Sequence, residues 1–218
     1  MSLYKNLTAS AQVSTAPSTL KAIVVNSHSS GTIRLNDGLS GTTSAGVKAT
    51  GTLTGSGTFS NGEEIVIGDV TYTMLTTLTN TVANEVLIGA NLATSLDNLK
   101  QAINQGDTEG GGDDQGTNYS TGTVPNPKVT ATTNGDTTQV VQARNIGTAG
   151  NSIVTTTDGA NASWGAGTLA SGAESSLLVV NTFTFPSGSG VYDFGGVSFP
   201  AGIYATIGGT ADVTLIYS

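Results

Sequence analysis

Cysteine is absent from this 218-residue chain, which excludes disulfides, thiolate zinc sites, iron–sulfur clusters and cysteine nucleophiles. Histidine occurs once, and charged side chains make up only 10% of the residues. Seven scattered Lys and Arg cannot supply the cationic field that displaces counterions, so nucleic acid is not an expected partner. The same shortage argues against an anionic membrane surface. No apolar run reaches the roughly 18 residues that a membrane-crossing helix needs. The opening stretch Met1–Gln12 lacks the apolar core of a signal peptide. Without a secretion signal, the sequons at Asn118 and Asn161 read as chance matches.

What is present points to strands. Gly occurs 30 times and Thr makes up roughly one residue in six. Small and β-branched residues with little charge suit pleated strands joined by tight turns, and do not suit disorder. A net charge of −8 and a pI near 4.3 read as a solubility device.

Two stretches of small residues, Ser40–Gly46 and Ala170–Ser176, read as linkers. Outside them, residues 1–45 and 174–218 carry four acids and three bases, or −1. The middle, 46–173, carries eleven and four, or −7, and the two parts sum to the chain's −8. Eight of the twelve aromatic residues also lie in the outer segments. Those segments offer strands near 20–26, 32–35, 177–185, 190–194, 203–207 and 212–217, and neither segment suffices alone. Joined, they are expected to form a discontinuous antiparallel β-sandwich of six or seven strands, split by an insertion.

The middle is expected to be an inserted α+β domain with one main helix. Strands are predicted near 49–59, 64–67, 70–75, 128–133, 139–145 and 152–157, with hairpin signals at Asn61-Gly62 and Asn134-Gly135. Ile88, Leu92, Leu96, Leu99 and Ile103 fall on one helical stripe, with Asp97, Asn98, Lys100 and Gln101 off it. Asn91 is the expected N-cap and Gly106 the stop, and the helix should lie on a small antiparallel sheet. Residues 106–123 are expected to form an exposed, flexible acidic loop.

Catalytic chemistry finds no support. A Ser–His–Asp arrangement would have to draw on His28, Asp37 and a nearby serine, but neither Ser187–Gly190 nor Gly55–Gly57 lies on a nucleophile elbow. Glu63 and Glu64 are adjacent, so on a strand they point to opposite faces. Asp113 and Asp114 lie in the glycine-rich loop. A cation site from Asp107, Glu109, Asp113 and Asp114 lacks the spacing of known calcium loops. No phosphate loop or dinucleotide fingerprint occurs. The expectation is a non-enzyme with no catalytic, cofactor-binding or metal-binding residues, and no cofactor.

The segments Asn6–Ser10, Ser29–Asp37, Val180–Phe185 and Gly202–Tyr217 resemble small β-sandwich proteins of tailed bacteriophages. The segments Asn61–Tyr72, Asn91–Asn104 and Ala143–Ser152 resemble a module that recurs in phage virion proteins. The resemblance implies a virion structural protein, most readily a capsid decoration (cement) protein. Its implied partners are the major capsid protein and itself, as a homo-oligomer, with a trimer expected. Residues 1–16 are an expected anchoring arm, adding a strand to a neighbour, and the acidic insert is expected to face solvent. The alternatives are a tail, baseplate or head–tail junction component, or a carbohydrate- or host-receptor-binding module with a site at Trp164, Tyr119 and the loop.

Overall fold

The computed structural model of the chain describes residues 1–105, 114–186 and 188–218. As expected, the fold is mainly β with one main helix. The first strands are β1 (Leu3–Leu7), β2 (Ala11–Ser14), β3 (Ser18–His28) and β4 (Thr32–Asp37). There follow β5 (Lys48–Gly55), β6 (Glu63–Ile67), β7 (Val70–Leu75), β8 (Glu85–Leu87) and helix α1 (Leu92–Asn104). Next come β9 (Val129–Gly135), β10 (Thr138–Ile146), β11 (Thr155–Thr157) and β12 (Ala162–Trp164). The last are β13 (Leu177–Thr184), β14 (Gly190–Phe199), β15 (Ile203–Gly208) and β16 (Ala211–Tyr217). The chain divides into two compact units, 1–46 with 174–218, and 47–173.

The outer unit is a sandwich of two four-stranded sheets, ordered β1-β16-β3-β14 and β13-β4-β15-β2, in which every pairing is antiparallel. Strands from the first 46 residues alternate with strands from the last 45 across both sheets, and none pairs with a strand from its own segment. Period-2 patterning sets the core. Leu20, Ile23, Ile33, Leu35, Val213 and Leu215 are fully buried, each worth about 1.5–3 kcal/mol relative to exposure. The sandwich has eight strands rather than six or seven. The additional two come from residues 1–16, which pair with β16 and β15 of their own chain instead of standing free as an anchoring arm.

The insert holds two sheets rather than one, ordered β12-β5-β10-β9 and β11-β6-β7-β8. All pairs are antiparallel except β7 with β8, which is parallel. Helix α1 packs against strands of both sheets, and all three share one core. The Asn91 side chain caps the helix by accepting the Thr94 N–H at 2.9 Å. Ile88 lies before the helix, and Asn98 and Lys100, expected on the exposed face, are buried. Asn98 Nδ2 donates to the Leu87 carbonyl at 2.9 Å, so this face of the helix binds the sheet edge through polar groups. The helix ends at Asn104 with Gln105 in the left-handed region, φ 52°, one residue before the expected Gly106, which lies outside the described residues.

Neither Asn-Gly pair forms a hairpin turn: Asn134 and Gly135 are still paired in β9, with Gln139 and Thr138, so the β9–β10 turn falls at Asp136-Thr137, and Asn61-Gly62 does not join paired strands, because β5 and β6 belong to different sheets. The β6–β7 turn falls instead at Gly68-Asp69, where Gly68 has φ +65°. Residues 106–113 of the expected flexible loop lie outside the described residues. Residues 114–123 are not a loose loop: Tyr119 is fully buried, Leu87 N–H donates to Asn118 O at 2.9 Å, and Ser120 N–H donates to Glu85 O at 2.9 Å. The open edge of β8 needs backbone partners, and this segment supplies them along with a large apolar side chain.

The linker-like stretches are also hydrogen-bonded. Within the outer unit Ser44 and Ser176 exchange two backbone hydrogen bonds, each at 2.8 Å. Within the insert Val47 and Ala173 do the same, at 2.8 and 3.0 Å. The insert therefore begins and ends on two residues paired with each other.

Candidate functional site

His28 closes β3, where its Nε2 lies 2.7 Å from the Pro186 carbonyl and 3.1 Å from that of Gly188. Its ring packs on Phe185 at 5.7 Å between centroids. Asp37 ends β4, five residues beyond Thr32 and so roughly 17 Å along the strand, and its Oδ1 accepts the Ala201 N–H at 2.7 Å. The two groups that a triad would need are thus at opposite ends of the sandwich. Ser187 lies outside the described residues.

Glu63 and Glu64 do face opposite ways. Glu63 is buried, and its Oε2 accepts the Ser60 N–H at 2.9 Å and Asn161 Nδ2 at 3.3 Å. Gly159 lies so close that a Cβ there would meet the Glu63 carboxylate at 1.7 Å. This carboxylate ties loops together and leaves no room for a substrate. Glu85, which the sequence reading did not single out, plays the same part. Burial pushes its pKa up, but hydrogen bonds from the Thr79 hydroxyl, the Thr79 N–H and the Asn80 N–H outweigh this and hold it below its ordinary value.

Of the four loop acids considered for a cation, Asp107, Glu109 and Asp113 lie outside the described residues. Asp114 accepts the Asn118 side-chain amide at 3.1 Å. Among the described residues no cluster of three metal-ligating side chains occurs, and no helix is long and apolar enough to cross a membrane.

The receptor-binding alternative placed Trp164 beside Tyr119, but Tyr119 is fully buried in the insert core and cannot meet a ligand. Trp164 is half-buried, and its Nε1–H already donates to the Thr156 carbonyl at 3.1 Å. It borders a shallow recess of about 400 Å³ lined with Thr155, Thr157 and Ser163. A second recess, of about 260 Å³, lies beside Lys128, whose ammonium pairs with Asp69 at 2.6 Å. Neither gathers convergent polar groups of the kind that fix a small ligand.

The outer unit exposes apolar side chains along the edges of its sheets. On β13 Leu177, Leu178 and Val179 are 51%, 42% and 38% exposed, and on β14 Val191 is 68% exposed. These strands form one edge of the sandwich, where Phe183 meets Tyr192 edge-on at 5.0 Å. The opposite edge is β1 with β2, and β1 exposes Leu3 and Tyr4. The polar groups near that edge bond to one another: Asn6 and Asn26 both donate to Asp212 Oδ1, at 2.7 and 2.9 Å. Those bonds hold the Asp212 carboxyl below its ordinary value. Compared with known proteins, the chain matches no family model, no curated protein and no solved structure.

Proposed function

We propose that the protein is a structural component of a tailed-bacteriophage virion, a decoration protein that binds the outside of the capsid as a homo-oligomer. The observation that carries this reading is the outer unit's pair of open edges, which offer apolar contact area where an enzyme would offer a cleft. The phage-like segments of the sequence supply the particle class. Binding across neighbouring copies of the major capsid protein would favour the assembled shell by mass action. The insert, with its −7 charge, suits a solvent-facing module, and the chain's low basic content gives neither nucleic acid nor membrane a foothold. Cryo-electron microscopy of the particle tests the reading. Density for this fold at the quasi-symmetry axes of the capsid is the expected result. Density confined to the tail axis would make it a tail or junction component, and absence from the virion would sink the proposal.

The half-buried Trp164 in its threonine-lined recess favours one second reading, a glycan-binding insert. A glycan array with the wild type and Trp164→Ala decides it: no signal, or one that the substitution leaves intact, removes this reading.

A further inference from the structure

The large apolar side chains that the outer unit exposes within its strands lie on its two opposite edges; Met1 and Leu39, also exposed, lie outside the strands. β1 offers Leu3 and Tyr4, and β13 and β14 offer Leu177, Leu178, Val179 and Val191. Charge divides in the same way. Lys5 is the one charged side chain in residues 1–16, and Glu174 and Asp193 are the ones in residues 174–199. On the edge strands themselves, β1 therefore carries a cation, Lys5, and β14 an anion, Asp193.

We propose that these edges are the two halves of one contact between copies of this chain: β1 of one copy pairs antiparallel with β14 of the next and continues the sheet. This deepens the self-association named in the proposed function, yet it rests on the geometry of the outer unit alone. The four strands β1-β16-β3-β14 alternate in direction, so β1 and β14 run oppositely. A copy set alongside in the same orientation thus presents β1 antiparallel to β14. Faces match as well. The ladder sets Lys5 level with Leu215, Ile23 and Tyr192, and Tyr4 level with Ile216, Ala22 and Asp193. Leu3 and Lys5 therefore share the core-side face with Tyr192, while Tyr4 shares the outer face with Val191 and Asp193. A shift of two residues from this level keeps the faces matched and sets Leu3 opposite Tyr192 and Tyr4 opposite Val191 across the contact.

Length agrees too. Gly195 and Gly196, at φ +61° and +92°, break the β14 ladder after Asp193. That leaves Gly190–Asp193 straight, long enough to pair with Leu3–Lys5 of a neighbouring β1. Like-with-like pairing is disfavoured. A two-fold axis through the middle of β1 sets Lys5 against its own copy, and two β13–β14 edges facing each other bring two Asp193 carboxylates into one contact. A head-to-tail contact of this sort closes into a ring or runs on as a filament.

Sedimentation of the full chain over a range of concentrations tests the proposal. The wild type should self-associate. Tyr4→Glu and Val191→Lys should each weaken association about tenfold or more by placing like charges or an unpaired charge in the contact, and the double variant should recover it. Both positions are exposed, and unchanged thermal melting would show that the variants fold. Because the chain has no cysteine, Tyr4→Cys with Val191→Cys offers a second measurement: oxidation should give a covalent ladder. A monomer at every concentration overturns the proposal and leaves the virion reading to particle density. Association indifferent to both single variants, a double variant that fails to recover, or disulfide-linked dimers of Val191→Cys alone would each overturn it as well.

Discussion

Glu85 sits where the chain turns after β7, and its carboxylate accepts the Thr79 hydroxyl, the Thr79 N–H and the Asn80 N–H at 2.7 to 3.3 Å. Glu85→Ala leaves these donors without their acceptor, and a loss of about 1–3 kcal/mol in the stability of the insert is expected in urea unfolding at neutral pH. Since the folded carboxyl is held below its ordinary 4.5, its contribution is present above that pH and is lost as the pH falls through the folded value. The variant should accordingly show a flatter decline of stability in acid than the wild type. Tyr72 works at the other end of the scale. Burial pushes its hydroxyl up to about 12, against the opposing Asn126 hydrogen bond and the positive Arg144. Its contribution is full below 10.0 and is lost as the pH rises toward about 12, so Tyr72→Phe should remove part of the alkaline sensitivity of the fold. An absorbance titration should show a tyrosine ionising at about 12 that is missing from Tyr72→Phe. Neither role was legible in the sequence. A lone Glu or Tyr in a strand pattern carries no mark of the backbone donors that will surround it, and Tyr119 likewise looked like a loop residue among Gly, Asn and Thr.

Helix α1 was the most legible element, because its apolar stripe and its Asn91 cap are both local signals. Asn91→Ala removes the acceptor of the Thr94 N–H and should cost about 1 kcal/mol, read as a lower melting temperature of the insert. Gln105 stops the helix with φ 52°, where glycine carries no side-chain penalty. Gln105→Gly should therefore be neutral or stabilise by up to about 1 kcal/mol, and a marked loss would show that its side chain matters there. The strands were legible where they alternate, as in β3 and β16, and illegible where they are short or at an edge. In β1 only Leu7 is buried, so there is no period to read. β8 and β12 have three residues each, too few for a pattern. Asn61-Gly62 misled for a related reason: a turn dipeptide marks a bend, and only long-range pairing decides which strands flank a hairpin.

At the scale of the molecule, the charge step and the two small-residue stretches carried the most information, because composition is a property of a whole unit. They could not reveal how the outer strands interleave. A chain joining residue 45 directly to residue 174 is expected to fold as a β-protein, since Ser44 and Ser176 already exchange two backbone hydrogen bonds. An unfolded circular dichroism spectrum would contradict this. Residues 46–173 alone should fold with one helix. Peptides 1–46 and 174–218 should each be unstructured alone and gain β signal when mixed, because neither holds a complete strand pair. The same interleaving sets an order in time. On a ribosome adding roughly 5–20 residues per second, the insert is finished while β1 to β4 still have no partners. The apolar stretch Ile23-Val24-Val25 in β3 must wait for β14 and β16, both made after the insert. The insert thus folds before either sheet of the outer unit can form, and a chain released early presents four sticky strands with nothing to close on. Yield in a bacterial host should depend on translation passing β13 to β16 more steeply than it does for a protein whose first strands pair with each other.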